Sequence, residues 1–203
     1  MASVILFVEG GGDKGRGRQL VRLAFIEFFR EFGGSMPDIR ARGAREEAKD
    51  AFLAEVENAS SAFVMLLVDA EAQLRVNSPR QHLHASDGWE LSRCADDQVH
   101  LMVQAIEAWM IADRDALRDY FGQGFSENPL PGRPPETIPK DDLKRTLKEA
   151  GRQTNKKGYN EIADGTAILA MLDPATVRAK CQWCRRLFLV LSDAVGIPLP
   201  DLQ

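Results

Sequence analysis

The chain has 203 residues, of which 44% are hydrophobic, and its formal net charge is −4. This length suits one domain of ordinary size, or one domain with a helical appendage, and the hydrophobic content is too high for a disordered chain. The apolar runs are too short to span a membrane, and the N-terminus does not resemble a signal peptide. Three cysteines are too few for a disulfide framework, so we expect a cytoplasmic protein.

The first 71 residues predict elements in the order β-α-β-α-β. The apolar runs "SVILFVE" and "AFVMLLVDAE" are typical of strands buried on both faces, and "DIRARG" between them predicts a strand with alternating faces. Apolar residues at helical spacing predict a helix over 18–32, and "AREEAKDAFLAEVENA" predicts a second helix. Such strands joined by helices indicate a parallel sheet with right-handed crossovers.

The rest of the chain is predicted to be mainly helical. "QVHLMV" predicts a fourth strand, which is followed by a helix from about Gln104 to Ala112, with Asp113 as the N-cap of the next helix. Residues 122–139 contain five prolines and three glycines and predict an irregular loop, and helices are expected over 141–194. We therefore divide the chain into an α/β domain over 1–125 and a helical C-terminal extension over 126–203 that packs on it.

Carboxylates follow two of the predicted strands. Glu9 ends the first strand, and Asp69 with Glu71 ends the third. Ligands of open parallel sheets bind at the carboxyl ends of the strands, and residues two apart in extended backbone point the same way, so these acids would converge. Three close carboxylates suit Mg²⁺ or Mn²⁺. The alternative is that Glu9 complements a helix dipole and Asp69 caps a loop.

The glycine-rich stretch after the first strand allows a competing interpretation. "GGGDKG" satisfies the dinucleotide-binding pattern G-x-G-x-x-G. However, Glu9 would place a negative charge beside the pyrophosphate, and "DIRARG" ends basic where an acid is expected. We instead expect the glycines to let backbone and substrate approach a metal closely, with Lys14 and Arg16 near a phosphate. A nucleotide-binding enzyme remains a further hypothesis.

Several segments resemble a known family when taken together. They are "ILFVEGGGD", "GAREEAKDAF", "LLVDAE", "HLMVQAIEAWMIADRDAL" and "KKGYNEIADGTAILAMLDPATVRAKCQWCRRLF". The strands that end in Glu-Gly and Asp-x-Glu resemble the TOPRIM fold of topoisomerases, primases and OLD-type nucleases. The full set of segments is more specifically similar to the small TOPRIM-like proteins of domain-of-unknown-function family 4276.

This resemblance implies a TOPRIM-like α/β fold and Mg²⁺-dependent phosphodiester chemistry on nucleic acid. Glu9 would act as general acid or base, while Asp69 and Glu71 hold the metal. It also implies a bacterial anti-phage system with an ATPase partner. The chain has Glu71 where topoisomerases commonly have aspartate, and it has no nucleophilic tyrosine domain, so hydrolysis by activated water is expected instead of strand passage.

Further candidates lie outside this group of acids. Glu107, early in the helix after the fourth strand, could complete a second metal site or complement the helix dipole. Arg45 could reach a phosphate or lie on the solvated surface. Lys156, Lys157 and Tyr159 could neutralise transition-state charge or stack a base, or they could form an exposed loop.

Two other motifs are interpreted as structural. Cys181 and Cys184 in "CQWC" have no second cysteine pair and fall in a helical segment, so we expect core residues. His82 and His84 in "HLH" are expected in a loop without a metal.

The sequence thus favours a Mg²⁺-dependent nuclease-like effector. The alternative is a non-catalytic TOPRIM-like subunit that binds and regulates an ATPase. The choice between DNA, RNA and a small phosphoester stays open, as does homo-oligomer formation.

Overall fold

A single parallel sheet organises the computed structural model, which describes residues 3–12, 15–58 and 61–202. Its strands are β1 (Val4–Glu9), β2 (Asp38–Arg42), β3 (Phe63–Asp69) and β4 (Val99–Met102). They lie in the order β2-β1-β3-β4, and each neighbouring pair is parallel. The predicted α/β class, the four strands and the β-α-β-α-β order are confirmed.

The register brings the strand ends together. β1 pairs with β3 so that Val8 lies opposite Leu67, and β3 pairs with β4 so that Asp69 lies opposite Met102. Glu9 and Asp69 are therefore at the same edge of the sheet, on adjacent strands. The crossovers after β1 and β2 are helical, as the buried parallel strands require.

Helices cover both faces of the sheet. They are α1 (Gly15–Phe28), α2 (Arg45–Glu57), α3 (Pro79–Asp87), α4 (Glu107–Ala112), α5 (Arg114–Phe121), α6 (Lys140–Ala150), α7 (Glu161–Met171), α8 (Pro174–Lys180) and α9 (Gln182–Val195). Among the described residues, none of these helices has the length and apolar character needed to cross a bilayer.

The larger core joins the sheet to the C-terminal helices. α1 and the helices from α4 to α9 pack on one face, where the ring of Phe28 lies 5.2 Å from that of Trp109 and 5.6 Å from that of Phe188. α2 and α3 cover the other face around Phe52 and Leu83. The helices after residue 126 thus share a core with α1 and the sheet.

Several helix boundaries follow from identifiable caps. Asp113 accepts a hydrogen bond from the Ala116 amide at 3.1 Å, so its predicted role as N-cap is confirmed. Asp173 caps α8 in the same way, with Pro174 as the first helical residue.

Other boundaries differ from the prediction. α1 ends at Phe28 instead of residue 32, because the chain continues as a 3-10 turn over Arg30–Ser35 that keeps Phe32 buried. α4 begins at Glu107 instead of Gln104. The segment that contains "HLH" is helix α3, not a loop, and the Ser78 side chain caps it at 3.3 Å from the Gln81 amide.

Candidate metal centre

The glycine loop after β1 is shaped by contacts within the protein. Gly10 and Gly11 have φ angles of 120° and 88°, which side-chain-bearing residues rarely adopt. A Cβ on Gly11 would lie 2.5 Å from the Arg18 amide, and one on Gly17 would lie 2.1 Å from the Gly11 carbonyl oxygen. Packing of the loop against the start of α1 is therefore sufficient to explain the glycine at position 11, and the role of the glycine loop in letting a substrate approach a metal stays a prediction.

Three carboxylates meet at the edge of the sheet beside this loop. One carboxylate oxygen from each of Glu9, Asp69 and Glu71 lies within 4.8 Å of the other two. Glu9 is placed by the end of β1 and Asp69 by the end of β3. The convergence expected from the neighbouring strand ends is present.

Glu71 is placed in this carboxylate cluster by a turn, and not by extended backbone as predicted. We predicted that Asp69 and Glu71 would share a face of extended backbone, but β3 ends at Asp69 and Glu71 has a left-handed φ of 61°. Its amide donates to the Gln104 carbonyl oxygen at 2.9 Å, and the Ala70 amide donates to Met102 at 2.9 Å. A turn held by the segment after β4 therefore positions the third acid.

Burial and the charges of neighbouring acids raise the pKa values of Glu9 and Asp69. Burial, with a further contribution from the charge of Asp69, raises the pKa of Glu9 well above its ordinary value. Burial raises the pKa of Asp69 to about 7, although Lys140 opposes this increase. Such shifts mean that the ionised acids lack sufficient compensating charge within the described protein.

Two cationic side chains from the described part of the chain border the cluster. The Lys140 ammonium lies 2.5 Å from Glu71 Oε1 and 3.4 Å from Asp69 Oδ2. Arg45 Nε lies 3.5 Å from Glu9 Oε2, while its guanidinium contacts both carboxylate oxygens of Asp87 at 2.6 and 3.3 Å. Arg45, predicted to reach a phosphate or lie on the solvated surface, is half-buried between two acids, and its contact with a phosphate stays a prediction.

The donor set fits a hard divalent cation. Glu9 Oε2 is buried and has no hydrogen-bond partner among the described residues, apart from the Arg45 ion pair at 3.5 Å. A buried carboxylate oxygen without such a partner is costly, and a cation would relieve that cost. Oxygen ligands from Glu9, Asp69 and Glu71 match the preference of Mg²⁺ and Mn²⁺.

A family model matches the part of the chain that contains all three acids of this centre. The family model described as Domain of unknown function (DUF4276) matches residues 8–192. The chain belongs to the DUF4276 family. A search of curated proteins and a search of solved structures each found no significant match.

Glu107 of this DUF4276 chain is buried near the carboxylate cluster. Its side chain is 1% exposed at the start of α4. The Tyr159 hydroxyl donates to Glu107 Oε1 at 3.1 Å, and Glu107 Oε2 has no hydrogen-bond partner among the described residues. Its charge contributes to the raised pKa of Asp69, so it lies near the cluster without being one of the three convergent acids.

The described residues that were candidates to bind phosphate or to stack a base lie on separate elements of the structure. Tyr159 is buried and bonded to Glu107, so it is not available to stack a base. The Lys156 ammonium lies 3.9 Å from the centroid of the Tyr120 ring, and Lys157 is exposed. Arg16 is exposed at the start of α1, and Lys14 lies outside the described residues.

Sequence reasoning missed two residues that support the centre. One is Lys140, whose contacts with Asp69 and Glu71 join distant parts of the chain. His82 Nε2 lies 2.9 Å from the Ala70 carbonyl oxygen and steadies the turn that carries Glu71. By contrast, Cys181 and Cys184 are buried and free, so their predicted place in the core is confirmed.

Proposed function

We propose that this DUF4276 protein is a Mg²⁺-dependent phosphodiesterase, a nuclease-like effector that hydrolyses DNA or RNA. The observation that carries the proposal is the convergence of Glu9, Asp69 and Glu71 within 4.8 Å at the carboxyl edge of a parallel sheet. Parallel sheets bind ligands at this edge, and three acids at this separation, of which Asp69 is buried and Glu9 is 15% exposed, call for a cation. A phosphodiester is the substrate class that a carboxylate-held Mg²⁺ commonly serves.

The residues of the cluster have separable roles in this proposal. Asp69 and Glu71 would hold the metal, which supplies charge stabilisation for the phosphate and an activated water. Glu9 acts as general acid or base, because its Oε2 atom is free of hydrogen bonds and is oriented by Arg45 at 3.5 Å. Glu107 serves as a ligand of a second ion or as a charge beside the first.

The proposed biological setting comes from the family resemblance. The sheet has the strand order β2-β1-β3-β4, and acids lie at the ends of β1 and β3. This arrangement supports a TOPRIM-type fold. TOPRIM-like relatives of this kind suggest a bacterial anti-phage system in which an ATPase is the partner. Activity would then depend on that partner as well as on the metal.

Removal of one charge at a time tests the catalytic proposal. We expect Glu9→Gln or Asp69→Asn to reduce Mg²⁺-dependent cleavage of DNA or RNA by about 100-fold or more, because each removes a proton-transfer group or a metal ligand. The matched control is Asp119→Asn, which alters an exposed carboxylate on α5. If folded Glu9→Gln and Asp69→Asn proteins cleave as well as the wild type, the catalytic proposal is wrong.

A second candidate is a non-catalytic subunit that docks on an ATPase. Large apolar side chains are exposed on α7 and α1, with Ile162 94%, Leu20 47% and Met171 43% exposed. Because α1 and α7 contact each other, these side chains lie on neighbouring helices, and contiguous exposed apolar patches mark protein interfaces. This candidate predicts that Ile162→Asp weakens binding to the co-expressed ATPase, that Glu9→Gln does not, and that no nucleic acid is cleaved with Mg²⁺ or Mn²⁺.

A further inference from the structure

The Lys140 ammonium lies among the acids of the carboxylate cluster. Its ammonium is 2.5 Å from Glu71 Oε1 and 3.4 Å from Asp69 Oδ2, and its side chain is only 21% exposed. Its charge also acts on the pKa of Glu9. A single ammonium therefore interacts with all three acids.

The helix itself does not favour this placement. Lys140 is the first residue of α6, and a positive charge at a helix N-terminus opposes the helix dipole. The start of α6 is instead fixed by buried neighbours, since Ile138 and Leu143 are both 0% exposed. The attraction that keeps the Lys140 side chain in this position thus comes from Asp69 and Glu71.

We propose that Lys140 is the internal counter-ion of the carboxylate cluster and that a divalent cation binds by displacing its ammonium from Glu71. This inference rests on the proposed metal site. A Mg²⁺ ion would take its oxygen ligands at about 2.1 Å, so an ammonium on the same Glu71 oxygen would face strong like-charge repulsion. The flexible stem of lysine lets the ammonium leave without moving α6.

Chemical labelling of the wild-type protein tests the displacement directly. Limited acetylation with acetic anhydride, followed by mass spectrometry, measures the reactivity of each lysine with and without saturating Mg²⁺. We expect the acetylation rate of Lys140 to rise several-fold with Mg²⁺, because the amine leaves its carboxylate partners. Lys148, exposed on the same helix, is the internal control and should not change.

Direct binding of Mn²⁺ provides the second test. Lys140→Met and Lys140→Gln should bind Mn²⁺ about tenfold more tightly than the wild type, a gain of about 1.4 kcal/mol, when binding is followed by electron paramagnetic resonance. Lys148→Met removes the same charge from α6 away from the cluster and should leave the affinity nearly unchanged.

The outcomes separate this inference from the function on which it rests. If Mn²⁺ binds the wild type, but its affinity is the same in both Lys140 variants and Mg²⁺ does not alter Lys140 acetylation, the displacement is wrong while the metal site stands. If Mn²⁺ binds none of these proteins, the metal site and the displacement both fail.

Discussion

At the scale of single residues, some positions in the metal centre could be predicted from the sequence and others could not. Glu9 and Asp69 could be predicted to meet, because each ends a buried parallel strand. The conformation of Glu71 could not, since its φ of 61° depends on a backbone hydrogen bond to Gln104. Nor could Lys140, because no local spacing rule describes a contact between side chains 69 residues apart.

The backbone of Glu71 leads to a stability prediction. A side chain with φ near 60° costs about 1 kcal/mol relative to glycine, so Glu71→Gly should be more stable than Glu71→Ala by about that amount. Both variants remove the carboxylate equally, so the difference reports the backbone alone. Urea unfolding of the two proteins measures it, and equal stabilities would show that Glu71 is not held in the left-handed region.

At the scale of elements, hydrophobic patterning predicted the strands better than the ends of the helices. β1 and β3 are apolar on both faces because helices cover both sides of the sheet. The spacing that suggested a longer α1 arises because Phe29 and Phe32 stay in the core after the helix ends. α3 was missed because its short helix has no apolar stripe long enough to recognise, although Ser78 and Pro79 mark its start.

β4 carries a buried histidine with a consequence for acid stability. His100 Nε2 donates to the Asp97 carbonyl oxygen at 2.8 Å, and Arg186 approaches its Nδ1 at 3.2 Å. Burial, assisted by Arg186, lowers the pKa of His100 to about 3. The folded protein therefore binds fewer protons here than the unfolded chain between about pH 6.5 and pH 3, and its stability falls as the pH falls through this range.

This linkage can be measured with matched variants. Between pH 7.5 and 5.5, the wild type should lose about 1.4 kcal/mol more free energy of unfolding than His100→Gln loses. His84→Gln changes an exposed histidine and should behave as the wild type does. An identical pH dependence in the wild type and His100→Gln would mean that the folded state protonates His100 as readily as the unfolded chain does.

At the scale of the whole molecule, the sheet and the C-terminal helices depend on one another. The residues that close the larger core come from both ends of the chain, as the contact of Phe28 with Phe188 illustrates. Lys140 also connects the C-terminal helices to the sheet, because α6 supplies an ammonium group to the carboxylate cluster. The boundary predicted at residue 125 therefore marks a change in the sequence pattern, whereas the larger hydrophobic core contains residues from both sides of it.

Phe188 provides a test of this continuity. Phe188→Ala should lower the free energy of unfolding by about 3–5 kcal/mol, because the ring is fully buried among Phe28, Phe29 and Phe32. Unfolding should remain a single transition, with tryptophan fluorescence and far-ultraviolet circular dichroism changing together. Two separate transitions would indicate that the N-terminal part and the C-terminal helices fold independently.

The central claim is that the carboxylates of Glu9, Asp69 and Glu71 form one divalent-cation site. The most direct measurement is anomalous diffraction from crystals soaked in Mn²⁺. We predict an anomalous peak within coordination distance, about 2–2.5 Å, of oxygen atoms from Asp69 and Glu71, with Glu9 adjoining. Saturating Mn²⁺ that leaves this cluster without a peak, or that binds only elsewhere, would contradict the claim.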